Sequence, residues 1–492
     1  MTRMNRRRFL AGSAAVAAAL TTTHPRIAGA SQPQRQLRAE TRVIDVNGRA
    51  ATVFGLRDET GRHGLAFDAG ERFAVRFANR SGEPTLVHWH GLTPPWRQDG
   101  TPDISAPLLA SGEEATYDFA LARPGTNWMH AHTLQEQRLM AAPLIVRDPS
   151  DKGIDEQEVV VLFHDFSFTA PEELLAKLDG SGGMDHGAMD HGSMNHMAMG
   201  QMDMGEMETG QPATDHAAMG HGGMTMDVND IEFDAYLAND RTLDDPEVIS
   251  VEQGGRVRLR LINGSAATNY TLDLGALEGD LVAVDGMPIV PLRGRRFAFG
   301  IAQRLDIRLQ LPRGTAAFPI LALREGAAQR SGLLLAPTGA AVAKLPVQGD
   351  ATGPIVGLSL ERQLRAVAPL SVRRADRRIE IALAGTMQGY RWALEAMPDP
   401  FRVGTGERVE IAMTNTSMMS HPMHLHGHHF QVTEIDGETL SGAVRDTVVV
   451  PPMSRVTIAF DADNAGNWAF HCHHLYHMVA GMMGRIEYEQ YS

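Results

Sequence analysis

The sequence predicts an all-β protein of three β-sandwich domains, and three observations carry that expectation. Alternating runs recur along the chain, as in residues 72–77 (RFAVRF), 256–261 (RVRLRL) and 408–413 (RVEIAM). Alternation with period two puts one side of a strand on a core and the other in solvent. A Gly-Glu or Gly-Gly step precedes each of these runs, at Gly70-Glu71, Gly254-Gly255 and Gly406-Glu407, which points to one module used three times. Roughly 460 residues follow an N-terminal leader, and at ~100–200 residues per domain that length suits three domains. Helical periodicity is scarce outside the short stretch 171–178 (PEELLAKL).

Taken in order, residues 1–30 read as a Tat-type signal peptide. Arg6-Arg7-Arg8-Phe9-Leu10 precedes an apolar run over 11–20, and Ala28-Gly29-Ala30 offers a small-residue cleavage site. The run is too short to span a bilayer, and no other stretch approaches the ~18–20 apolar residues a spanning helix needs. The expectation is a mature chain without membrane insertion, exported by the Tat machinery to the periplasm. The first domain is expected over 37–150, with strands at 72–77 and 114–119 (EATYDF). The second is expected over 155–345, with strands at 156–162 (EQEVVVL), 256–261 and 304–309 (RLDIRL), read as half-buried and antiparallel. It is interrupted by residues 180–226. The third is expected over 355–492, with strands at 408–413 and 455–460 (RVTIAF). A formal charge of −14 argues against a nucleic-acid partner and favours attraction of cations.

The chemistry begins at Cys472, the only cysteine, in the run His471-Cys472-His473-His474-Leu475-Tyr476-His477, with Met482 just beyond. A single thiol makes no intrachain disulfide, so in an exported chain it needs another role. Thiolate, imidazole and a weak thioether together describe a type 1, or blue, copper site. Three further clusters are as dense: His88-Trp89-His90, His130-Ala131-His132 and His421-Pro422-Met423-His424-Leu425-His426. An H-x-H pair in a strand turns both imidazoles to one face. The pairs 88/90, 130/132, 424/426 and 471/473 supply eight imidazoles, enough for one two-ligand copper and two three-ligand coppers. No such motif falls between His164 and His421, so the middle domain reads as a metal-free spacer.

Residues 180–226 hold eleven of the 26 methionines and five of the 21 histidines, in repeats such as Met184-Asp185-His186, Met189-Asp190-His191 and Met194-Asn195-His196. This composition cannot build an ordinary core. Thioethers favour Cu(I), and the stretch reads as a copper-gathering segment able to hold additional labile copper.

On these motifs the chain resembles the three-domain multicopper oxidases, and among them the bacterial copper-resistance oxidases and laccase-like enzymes. The resemblance implies three cupredoxin-like Greek-key sandwiches and four copper ions. It places type 1 copper on His421, Cys472 and His477 with Met482 axial, and type 2 copper on His88 and His424. One type 3 copper falls to His90, His130 and His473, the other to His132, His426 and His471. Asp99 matches the family's acidic residue near the three-copper cluster and is the candidate for proton delivery. The glutamate that some bacterial relatives carry after the second type 1 histidine is Met478 here. Met418 and Met419 match methionines of copper-oxidising relatives and join Met184, His186, Met189, His191, Met194 and His196 as candidate substrate-copper ligands. The family's nearby aspartate is Ser417. Asp446 is expected at the substrate-facing rim. The implied activity is oxidation of Cu(I), and of phenols, coupled to reduction of molecular oxygen to water. The alternatives are a laccase acting mainly on phenols or aromatic amines, and a non-catalytic copper-storage protein.

Overall fold

Six sheets, in three pairs that follow one another along the chain, make up the computed structural model, which describes residues 34–181 and 228–491. The leader, and the candidate ligands from Met184 to His196, lie outside the described residues. Two four-stranded sheets are drawn from Arg35–Val46 through Ala141–Arg147. A six-stranded and a five-stranded sheet are drawn from Gln157–Phe166 through Arg330–Pro337. A seven-stranded and a five-stranded sheet are drawn from Arg377–Thr386 through Met483–Tyr488. These are cupredoxin-like β-sandwiches.

The glycine-led runs occupy the same place in each. Arg72–Arg80 pairs in parallel with Arg35–Val46 and antiparallel with Glu114–Ala120. Arg256–Asn263 does the same between Gln157–Phe166 and Arg304–Gln310, and Arg408–Asn415 between Arg377–Thr386 and Arg455–Asp461. Even the entry turn recurs. Gly70, Gly254 and Gly406 have positive φ, and their N–H groups donate to the carbonyls of Leu121, Pro312 and Ala462. Only glycine enters that backbone region without a steric cost, so the repeated Gly marks the repeated turn.

Two details depart from the sequence reading. Each sandwich contains a parallel pair, so pairing is not purely antiparallel. The strand Arg304–Gln310 is also buried on both faces through most of its length, because it packs against Gly125–Ala131 of the first sandwich. Contact with another domain removes the solvent face that alternation implies. The short helical stretch at 171–178 is a helix: Pro171–Asp179 starts on proline, carries Glu172 and Glu173 in its first turn, and stops at left-handed Gly180. One apolar cluster runs from Leu37 to Val146, whereas another is continuous from Val159 to Tyr488. Among the described residues no helix is long and apolar enough to cross a membrane.

Candidate metal centre

Strand register brings the histidine pairs together. His88 stands opposite His130 between Val87–His88 and Gly125–Ala131, and His424 stands opposite His471 between His421–Leu425 and Asn467–Cys472. All eight imidazoles are buried, four from the first sandwich and four from the third. The two halves interleave: His88 stacks on His426 with ring centroids 3.8 Å apart, and His90 on His424 at 3.7 Å.

The outer nitrogens fix where the inner lone pairs point. A carbonyl can only accept, so Nδ1 is the protonated nitrogen of His88 (to Asp99 O, 3.1 Å), His424 (to Asp446 O, 2.9 Å) and His471 (to Cys472 O, 2.9 Å). His426 Nδ1 donates to the Asp99 carboxylate at 2.8 Å. The Nε2 atoms of His426 and His471 are therefore both acceptors, yet they face each other at 2.9 Å. His132 Nε2 lies 3.2 Å from His471 Nε2, and His130 Nε2 lies 3.3 Å from His473 Nε2. Acceptors that converge without a proton between them call for a cation. Ligand bonds of ~2.0–2.1 Å, as imidazole makes to zinc, put two nitrogens about 3.3 Å apart in a tetrahedral shell. The buried nitrogens His88 Nε2, His90 Nδ1 and His424 Nε2 have no hydrogen-bond partner at all, and these three residues form a further metal-sized group. Burial also holds His90, His130, His132, His424 and His471 well below the ordinary imidazole pKa, so they are neutral and available as ligands.

A second group gathers His421, Cys472 and His477. Cys472 Sγ lies 3.6 Å from His421 Nδ1 and 3.8 Å from His477 Nδ1, and the two nitrogens are 3.2 Å apart. Met482 is fully buried and closes the loop: its carbonyl accepts from Cys472 N at 3.0 Å, and its N–H donates to His477 O at 2.9 Å. Ser417 Oγ bonds His421 Nε2 at 2.7 Å. Trp392 and His474 sandwich the His477 ring at 3.8 and 3.7 Å between centroids. Because side chains alternate along a strand, Cys472 faces this group while His471 and His473 face the other.

Asp99 is buried between the two halves. Burial opposes its ionisation, but His88 and His426 beside it outweigh that and hold the carboxyl well below the usual range. Its Oδ2 also accepts from Thr101 Oγ1 at 2.6 Å. Gly100 makes this possible, since a Cβ there would lie 1.8 Å from Val87 O.

Some groups escaped the sequence reading. Glu136 Oε2 sits 2.8 Å from His130 Nδ1, and Asp230 receives His474 Nε2 at 3.1 Å and the Tyr390 hydroxyl. Neither carries a motif, although Glu136 lies just past the 130/132 pair. Asp446 is a correction. It is 1 % exposed and accepts from His90 Nε2 at 3.1 Å, so it lies against the imidazole cluster and not at a substrate-facing rim. Met418 is 65 % exposed whereas Met419 is packed into the core. His63, His164 and His428 bond to backbone carbonyls, as structural histidines do.

Fold and site together define a copper-binding redox protein whose soft cysteine site is joined covalently to an all-imidazole cluster. The family comparison agrees: models described as multicopper oxidase match residues 39–151, 158–344 and 374–492. The chain belongs to the multicopper oxidases. It is 32 % identical over 436 residues to multicopper oxidase MmcO of Mycobacterium tuberculosis, covering 85 % of this chain and 80 % of the relative. It is 25 % identical to copper resistance protein A of Escherichia coli, with 87 % of each chain covered. Among solved structures, a laccase from Botrytis aclada superposes with a TM-score of 0.73 at 18 % identity, covering 93 % of this chain and 88 % of that one. The His/Cys clusters are of the kind that hold type 1, type 2 and type 3 copper in oxidases coupling copper or phenol oxidation to reduction of dioxygen.

Proposed function

We propose that this oxidase acts mainly on Cu(I), in copper tolerance, after Tat export to the periplasm. The observation that carries the reading is the Met/His-rich insert, a soft cation collector in a chain that already has a soft electron-entry site. Similarity to proteins named for copper resistance supports it. The domain limits are proposed as 37–150, 155–345 and 355–492.

The residues fit copper, and the assignment follows the groups described above. His421, Cys472, His477 and Met482 would hold type 1 copper, and His88 and His424 type 2. His90, His130 and His473 would hold one type 3 ion, and His132, His426 and His471 the other. Bound there, the four ions supply single-electron acceptance from the donor and four-electron reduction of dioxygen. The chain itself supplies the path, since Cys472 is bonded through its backbone to both His471 and His473. It also shields the cluster from bulk solvent by burial and keeps a charged acceptor at Asp99 Oδ2, within hydrogen-bond reach of His426 Nδ1 and Thr101 Oγ1, as one end of a proton route. The exposed Met418 remains the candidate for meeting Cu(I) outside the insert.

Asp99→Asn keeps the side-chain shape but removes that charge. It is expected to lower turnover or copper retention ~10–100-fold, as loss of a ligand's outer partner does, with steady-state oxygen uptake and copper content as the measurements. Unchanged values for both would remove Asp99 from the mechanism.

The donor is decided by oxygen uptake with Cu(I) and with a phenol, using the copper-loaded protein with and without residues 180–226. Deletion is expected to lower the Cu(I) rate at least about tenfold at low Cu(I), through lost local concentration, and to leave the phenol rate unchanged. Equal Cu(I) rates would remove the insert's feeding role and leave the laccase reading intact. No uptake with either donor would leave only copper storage.

A further inference from the structure

We infer that the middle sandwich is more than a spacer: its Arg304 is a positioning residue for the imidazole cluster. The inference rests on the reading of that cluster as a copper site. Arg304 is 0 % exposed, on a strand that supplies no ligand. Its guanidinium reaches all three sandwiches. Nε donates to Thr126 O of the first at 3.2 Å, and Nη1 to Ala302 O of its own at 3.0 Å. In the third it grips Asp446 with both arms, Nη1 to Oδ1 at 2.8 Å and Nη2 to Oδ2. A planar fork matches a carboxylate in this way, and a lysine cannot.

The gripped residue orients two ligands. Asp446 Oδ1 accepts from His90 Nε2 at 3.1 Å, and the Asp446 carbonyl accepts from His424 Nδ1 at 2.9 Å. His90 is thereby made to offer Nδ1 to the cluster, whereas His88, His424, His426 and His471 offer Nε2. Thr447 Oγ1 bridges the same groups, 2.9 Å from Asp446 Oδ1, 3.2 Å from His424 Nδ1 and 3.3 Å from His90 Nε2. Arg304 is itself held, because Asp285 Oδ1 accepts its backbone N–H at 2.9 Å while Asp285 Oδ2 accepts from Arg445 Nε at 2.8 Å. The first sandwich leaves room for the fork. Gly91, next to His90, has φ +93°, and a Cβ there would lie 2.6 Å from Arg304 Nη2. Packing and ion pairing thus converge on one arginine that fixes how His90 and His424 meet the metal.

The test compares copper-loaded wild type with Arg304→Lys, which keeps a buried positive charge beside Asp446 but loses the fork, and with Arg304→Gln. Arg42→Gln serves as a control, since it breaks another arginine–carboxylate pair between the first two sandwiches, to Asp240, and among the described residues the Arg42 side chain hydrogen-bonds only Asp240 and the Phe54 carbonyl, not a ligand. Copper content, the blue absorption, the type 2 paramagnetic signal and the type 3 near-ultraviolet band are read on each. Both Arg304 variants are expected to keep the blue absorption while the type 2 and type 3 signals weaken, with cluster copper affinity down ~10–100-fold. Arg42→Gln is expected to lower thermal stability and leave all signals in proportion. If Arg304→Gln does not fold, Arg304→Lys decides alone. Full type 2 and type 3 signals in Arg304→Lys, or loss of the blue absorption in equal measure, would overturn the positioning role. Absence of these signals from wild type would instead overturn the copper reading beneath it.

Discussion

Cys472→Ser is expected to abolish the blue absorption and to stop donor oxidation, while most of the cluster copper stays bound. The thiol is the one soft anionic ligand in the chain, and it lies within 3.8 Å of both imidazole nitrogens in its group. A serine hydroxyl is a harder ligand that does not ionise there, so the loss should exceed the ~10–100-fold typical of a removed outer partner. The neighbouring cluster should survive for a specific reason. What Cys472 gives it is a backbone carbonyl that accepts from His471 Nδ1, while its own N–H donates to Met482 O within the cysteine group. Serine preserves both. Copper content should therefore fall by about one ion per chain, with type 2 and type 3 signals retained. Loss of all copper would contradict the division of the site into two groups, and persistent blue absorption would remove Cys472 from the type 1 site.

The parts of this site that were legible in the sequence are those whose geometry is local. Four H-x-H pairs announce themselves because a strand has period two, and Cys472, His477 and Met482 lie within one loop whose ends are tied by hydrogen bonds. The repeated sandwich was legible for a similar reason, through glycine turns that recur before the same strand. Apart from Asp99, the residues that hold the ligands were not. His90 and Asp446 are 356 positions apart, and His474 and Asp230 are 244. No periodicity connects them, and only docking of the sandwiches brings them into contact. Asp446 was misplaced because the run Arg445-Asp446-Thr447 is as polar as a surface turn. Its polarity is instead consumed by Arg304, His90 and Thr447, an internal network that leaves no group for solvent. The alternation of residues 304–309 misled in the same manner, since Asp306 meets Thr126 and Arg304 the Thr126 carbonyl of another sandwich and not water.

The same burial makes the copper-free protein acid-labile well above the range where carboxylates titrate. Loss of hydration on burial holds His426, His164 and His429 down to about 4, and His473 and His477 down to about 3. In the unfolded chain each titrates near ~6.5. Above that value both states are neutral and the stability is fully present. As the pH falls from 6.5 toward 4, the unfolded chain takes up protons that the folded chain refuses, so stability is lost. Each imidazole contributes up to ~1.4 kcal/mol per pH unit, and the five together at most ~7 kcal/mol per unit. Whole domains have only ~5–15 kcal/mol to lose. Asp99 and Asp446, held ionised in the fold, act in the same direction but only below ~3.9, after the imidazoles have done most of the damage. The apoprotein should thus unfold cooperatively one to two units below ~6.5. The assembled imidazole clusters exist only in the folded state, so copper loading should move the transition to lower pH. Melting temperatures measured from pH 7.5 to 4.5, with and without copper, decide the matter. A copper-free melting temperature that stays flat across that span would mean the buried imidazoles are not held neutral by the fold.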